Sequence, residues 1–214
     1  MKYVSMLTLP LLLVLSGCAG KAMNENQCLV ADWRTAGFED GSMGRNEQWL
    51  GRRAEACAEY GVTPDMDQYL MGRAQGLESY CEPRRAFDLG VRGGRYNNVC
   101  PAHLADPFQN ALQDGRGLRE RRYELGQIEN ALNSAHTTIQ ALDNDIIANT
   151  LTLATAPEMT NQARIDYALS IKNMAEQRGG LAASIPQMEA DLQAARYDLD
   201  AFTASIAPKY PGAI

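Results

Sequence analysis

The chain has 214 residues, 45% of them hydrophobic and 21% charged, and a net charge of −6. That composition suits one or two small folded units and excludes a disordered polyelectrolyte. With an acidic balance and no run of five basic residues, a phosphate-tracking surface is not expected, so nucleic acid is set aside as a partner.

Residues 1–17 read as an export signal. Lys2 precedes the apolar stretch MLTLPLLLVL, which is too short to span a bilayer as a mature helix. The sequence that follows, LSGC (Leu15 to Cys18), resembles the bacterial lipobox, in which cleavage falls before the cysteine and a diacylglycerol is attached to its sulfur. Cys18 is therefore the expected lipidation site. Each buried methylene stabilises membrane association by about 0.8 kcal/mol, so two or three acyl chains anchor stably where one does not. Ala19 follows Cys18, and by resemblance to lipoproteins of bacteria with two membranes this points to the outer membrane, facing the periplasm. Residues 18–27 form a lipidated polar tether.

Setting Cys18 aside leaves Cys28, Cys57, Cys81 and Cys100, an even number that reads as two disulfides with three possible connectivities. There is no C-x-x-C, and the histidines are His103 and His136, so neither a metal nor another cofactor is expected.

A helical head is predicted over 28–105. Its first landmark is DWRTAGFEDGSMGR, Asp32 to Arg45. As a calcium loop with Gly41 at the sixth position, it would place Ala36 and Phe38 at ligand positions, which fails. As a phosphate loop it lacks a Walker lysine. Asp32 and Asp40 beside Arg34 and Arg45 can form an acid–base pair. The preferred reading is a structural corner, with aspartates capping helices, arginines bridging segments, and Gly37, Gly41 and Gly44 permitting sharp turns.

RNEQWLGRRAEACAEYG then shows Leu50, Ala54 and Cys57 at helical spacing, with Gly61 as the C-terminal cap. Thr63 and Pro64 open a second helix, TPDMDQYLMGRAQGLESYC, whose Met66, Leu70, Ala74, Leu77 and Cys81 form one stripe. Gly72 and Gly76, one turn apart, mark a close backbone contact. A short helix over Pro83 to Leu89 is stopped by Gly90, and RGGRYNNVCP returns. Cys81 lies about 25 Å along the second helix from the Gly61 turn, which separates it from Cys57. Cys28–Cys57 and Cys81–Cys100 are the favoured pairs.

Residues 106–206 read as a long antiparallel coiled-coil hairpin. Asp106 caps and Pro107 opens the first arm. Its seam runs Leu118, Leu125, Ile128, Leu132, Ala135, Ile139, Leu142, Ile146. After TLATAPEMT the second runs Tyr167, Ile171, Met174, Arg178, Leu181, Ile185, Met188, Leu192, Ala195, Leu199, Phe202, Ile206. Steps averaging 3.5 residues specify a coiled coil. Folding near Ala156 pairs Leu142 with Ile171 and Leu125 with Met188. Gly179, Gly180 and Pro186 suggest a kink or brief break. The alternative is a three-helix bundle with a further turn at Gly179. Residues 207–214 are left as a tail.

The motifs of the head resemble those of a proteobacterial lipoprotein family classed as a domain of unknown function. The matching features are Asp32-Trp33, Gly37/Asp40/Gly41/Gly44, Tyr69/Gly72/Arg73/Gly76/Leu77, Tyr80-Cys81 and Tyr96/Val99/Cys100/Pro101. The likeness covers Cys28 to about Arg119 and implies an envelope lipoprotein with no assigned activity. The arm beyond Asn130 lies outside it.

Three functions follow in order of preference. The first is a structural or interaction module, anchored to the membrane, whose hairpin recruits an envelope protein or a second copy through leftover seam surface or through charges such as Arg119, Arg121, Arg122, Glu124 and Glu129. The second is a head that binds cell-wall glycan or peptide, using Trp33, Trp49, Tyr69, Tyr80 and Tyr96 for stacking and Arg34, Arg73 and Arg95 for carboxylates. The third is a hydrolase built on the Asp/Arg cluster, for which no nucleophile pairing is visible.

Overall fold

The computed structural model describes residues 22–214. Cys18, the expected export signal and the first part of the tether lie outside them. The described residues are helical, with no strand among them, as the seams and stripes predict. By backbone contacts the chain divides after Leu77 into two compact units.

The first unit holds α1 (Glu25–Leu29), α2 (Trp33–Ser42), α3 (Gln48–Ala58) and most of α4 (Met66–Tyr80). Asn24 and Gln27 close a capping box on α1. Met23, inside the expected tether, is buried, and its Sδ lies 3.8 Å from Cys57 Sγ. The Cys28–Cys57 disulfide joins α1 to α3. Around it pack Trp33, Ala36, Ala56 and Tyr69, with Leu50, Tyr60 and Val62 at the edge. The disulfide closes a short loop, and its restriction of the unfolded chain is worth on the order of 3 kcal/mol.

The stretch read as a corner is a helix. Asp32 caps α2 by accepting from the N–H groups of Arg34 and Thr35, and Trp33, Ala36, Gly37, Asp40 and Gly41 form its inner face. Gly37 and Gly41 therefore make no sharp turn; they sit opposite Gly72 and Gly76 where α2 crosses α4. A Cβ on Gly37 would overlap the Tyr69 carbonyl, and one on Gly72 the Arg34 carbonyl. Gly41 and Gly76 meet the same obstacle at Arg73 and Phe38. Gly44, at φ 63°, is the turn glycine that lets the chain leave α2.

In this unit one buried face and one helix start differ from expectation. In α3 the buried face is Arg53, Ala56 and Cys57, rotated from the Leu50–Ala54–Cys57 stripe. Gly61, at φ 71°, closes it as predicted, with the Val62 N–H returning to the Cys57 carbonyl. Helix α4 starts at Met66, after Thr63 and Pro64, and the Asp65 carboxylate accepts from the Gln68 N–H. An Asp in reach of the first free N–H groups is the better cap.

The second unit contains α5 (Pro83–Val91), α6 (Ala102–Thr155) and α7 (Asn161–Ile206), followed by a 3₁₀ turn at Ala207–Lys209. The Cys81–Cys100 disulfide ties the start of α5 to the start of α6. Gly90 does not stop α5. It lies inside the helix, where a Cβ would overlap the Leu112 carbonyl, while Gly115 on α6 meets Phe87 in the same way. The stop comes at Gly93, at φ 68°, with the Gly94 N–H bonded to the Leu89 carbonyl. Helix α6 opens five residues before Pro107, with Pro101 at its cap, so Pro107 sits inside it. Pro107 forfeits one intrahelical bond in the second turn, and the buried Phe108, Ala111, Leu112, Gly115 and Leu118 hold the helix together there.

α6 and α7 form the antiparallel hairpin, about 80 Å and 70 Å long at 1.5 Å per residue. Residues 156–160 connect them, Thr160 caps α7, and Arg164 donates to the Leu153 and Ala156 carbonyls that α6 leaves open. α7 runs unbroken through Gly179, Gly180 and Pro186, so neither the expected break nor the third helix occurs. The seam is continuous on both sides of those residues, which keeps them in one helix. Arg178, the polar seam position, swings out to Asp143 at 2.7 Å.

The register differs from the one expected. Asp143 pairs with Arg178, Asn149 reaches Met174, and Glu129 pairs with Arg196. The partners lie about 8, 10 and 12 residues, roughly two to three turns, farther along α7 than pairing across Ala156 implies. The connection occupies 156–160 and does not pivot on Ala156. Arg121, expected to face a partner, pairs with Asp198 at 2.8 Å and covers the Phe202 ring. Such exposed pairs align the arms and contribute less than about 1 kcal/mol each.

The expected tail is packed. Tyr210 stacks on Phe87 at 4.2 Å and donates to Asp114, and Arg84 donates to the Pro211 and Gly212 carbonyls.

Gly179 and Gly180 have nothing within 4 Å of an added Cβ. Gly179→Ala and Gly180→Ala are each expected to stabilise the hairpin by about 0.5–1 kcal/mol, because alanine restricts the unfolded chain and meets no neighbour. Thermal unfolding followed at 222 nm measures the gain; a lower midpoint would mean the helix is not continuous there.

Candidate functional site

The buried charge of the first unit centres on one side chain. Asp40 projects from the inner face of α2 and is fully buried. Arg53, from α3, donates to both of its oxygens, Nη2 to Oδ1 at 2.8 Å and Nε to Oδ2 at 2.9 Å. Arg45 Nη1 donates to Oδ1 at 2.8 Å, and the Tyr69 hydroxyl, from α4, to Oδ2 at 2.7 Å. Arg73 extends the network by donating to the Arg45 carbonyl at 3.1 Å. Three helices and the loop after α2 thus converge on one carboxylate.

Burial pushes the Asp40 carboxyl up, but hydrogen bonds from Arg53, Tyr69 and Arg45 outweigh it and hold the group below the ordinary carboxylate range. The same contacts keep Arg53 charged, chiefly through its bond to Asp40. Burial, and then the bond to Asp40, push the Tyr69 phenol up, so its proton stays in place. A carboxylate held ionised, with its lone pairs occupied by four donors, neither gives nor takes a proton readily. The arrangement is chemically suited to locking helices together.

The sequence candidates separate accordingly. Asp40, Arg45, Tyr69 and Arg73 meet in this network. Asp32 does not join them; its carboxylate is at the other end of α2, lowered by the Thr35 hydroxyl and the cap N–H groups. Arg34 is exposed, its carbonyl set against Gly72. Trp33 is buried in the core, and both Arg45 and Arg52 lie over the Trp49 ring, at 4.0 and 5.0 Å. A shallow cleft of about 220 Å³ includes Gln27, Asp32, Thr35, Glu39 and Arg53, but Arg53 is already engaged by Asp40 and Glu39. Tyr80 and Tyr96 belong to the second unit, where both rings rest on Phe108.

Arg53 is the residue that sequence reasoning missed. The signal was its position one turn before Cys57, on the face the disulfide buries. Among the described residues no group of His, Cys, Asp and Glu converges as a metal-ligand set, and no helix is long and apolar enough to cross a membrane.

Fold and network define a helical, disulfide-bonded protein whose buried ion cluster organises the first unit. Residues 32–117 match the model of a family described as protein of unknown function (DUF2799), so the chain carries a domain of that description. The match takes in the Asp40 network, both glycine crossings and the second disulfide, and ends where most of the hairpin is still to come. No curated protein and no solved structure matches the chain.

Proposed function

We propose that this protein is a lipid-anchored envelope module, attached through Cys18 to the outer membrane and facing the periplasm, that works by presenting its helical hairpin to a partner. The observation that carries the reading is the surface near the closed end. Ile147 and Leu151 on α6, and Ile165 and Leu169 on α7, are each more than half exposed. Both pairs are spaced by four residues and stand outside the mutual seam of Leu142, Ile146, Ile171 and Met174, so pairing of the two arms does not consume them. Four large apolar side chains exposed near the turn of the hairpin are more than isolated surface residues require.

Photo-crosslinking from Leu151 and Leu169 in intact cells tests this. The expected product is one discrete adduct, either a second copy or a single envelope protein, lost in the Ile147→Lys/Ile165→Lys double variant while its thermal midpoint is retained. Absence of any adduct, with a monomer mass in mild detergent, would sink the interaction reading. Cys18→Ser is expected to abolish palmitate labelling and release the protein to the soluble fraction; unchanged labelling would remove the anchor.

A further inference from the structure

The second unit contains a notch that hairpin docking does not use. It forms where the 92–101 segment lies against the start of α6, and it is lined by Tyr96, Asn98, Gln109, Leu112, Gln113 and Arg116 around about 280 Å³. Its walls are fixed. Cys100 is bonded to Cys81, the Cys100 N–H donates to the Tyr96 oxygen at 3.2 Å, and the Tyr96 ring lies 4.7 Å from the fully buried Phe108. One side of that ring is thereby covered and its position set. Asn98, at φ 53°, reverses the chain toward the helix. Gln109, Leu112, Gln113 and Arg116 follow at three- and four-residue intervals and so share one face of α6.

The lining is unusual in charge for an acidic chain. No carboxylate is among it. Among the described residues Arg116 has no acidic partner, nor do the neighbouring Arg92, Arg95 and Arg119; the Arg119 guanidinium packs against Gly93. Arg45, Arg53, Arg121, Arg178 and Arg196 are all paired.

We infer that the notch binds a carboxylated sugar. The unpaired Arg116 guanidinium offers the fork that a carboxylate takes in two parallel hydrogen bonds. Three side-chain amides each donate and accept, which suits hydroxyl and acetamido groups; a bare phosphate uses donors alone. The held Tyr96 ring supplies a flat wall for a pyranose face, and the volume fits one ring.

The test is titration of the full chain in detergent with N-acetylmuramic acid, a pyranose carrying both a carboxylate and an acetamido group, read by saturation-transfer NMR. Saturable binding is expected, at least tenfold weaker for neutral N-acetylglucosamine. Arg116→Gln and Gln113→Ala, both exposed positions, are expected to weaken it at least tenfold with unchanged thermal midpoints. No saturable binding, equal binding by Arg116→Gln, or binding of the dipeptide Ala-Ala in place of the sugar acid would overturn the proposal.

Discussion

Asp40→Ala is expected to destabilise the first unit by about 3–5 kcal/mol, the cost of removing one partner from a buried ion pair. The substitution leaves Arg53 charged inside the protein and strips the Tyr69 hydroxyl of its acceptor. Asp32→Ala, on the same helix, removes an exposed cap and is expected to cost about 1 kcal/mol. Trp33 and Trp49 both lie in the first unit, so urea unfolding followed by tryptophan fluorescence reads that unit directly. Equal losses for the two variants would mean that the network holds nothing.

The same carboxylate sets a pH dependence. Its folded value lies below the ordinary one of about 3.9, so its contribution is complete above that pH and fades as pH falls toward the folded value. Native protein is expected to lose stability through that acid window. Asp40→Ala is expected to start lower and decline less steeply, which unfolding curves at pH 7, 5, 4 and 3 resolve.

Gly72→Ala is the second large effect, and it inverts a common rule. Inside a helix this change ordinarily stabilises by up to about 1 kcal/mol. At Gly72 the new methyl would overlap the Arg34 carbonyl, with the Phe38 nitrogen at 3.0 Å, and backbone cannot step aside as a flexible side chain can. α2 and α4 must separate, which pulls Tyr69 away from Asp40. A loss of about 2–3 kcal/mol is expected, larger for valine. Identical substitutions at Gly72 and Gly179 should therefore move stability in opposite directions. A gain at Gly72 would disprove the crossing.

The residues that announced themselves in the sequence were those whose role is local or periodic. The hairpin seam was legible because alternating steps of three and four keep one apolar stripe in phase. The same phase left a three-helix bundle open, which the unbroken α7 removes, and Arg178 leaves the seam without changing that phase. Helix length keeps Cys57 from Cys81 and so removed one of the three connectivities; of the remaining two, the favoured one is observed. Arg53 was not, since a charged side chain is read as surface until its acceptor is known, and Asp40 is thirteen residues away in another helix. Gly37 and Gly41 were misread for the same reason. Alone they break a helix; facing Gly72 and Gly76 they permit the crossing. The register of the hairpin shows in cross-arm pairs such as Asp143–Arg178 and Glu129–Arg196, and apolar periodicity does not encode it.

Each cysteine in the described chain is joined to the next one along: 28 to 57, then 81 to 100. For a polypeptide threaded through a pore from its amino end, with Cys18 taken up by lipid as proposed, oxidation in order of emergence produces this pattern directly, and no bond has to be undone and rebuilt. Correct crosslinking then asks for an oxidant alone, without a shuffling catalyst.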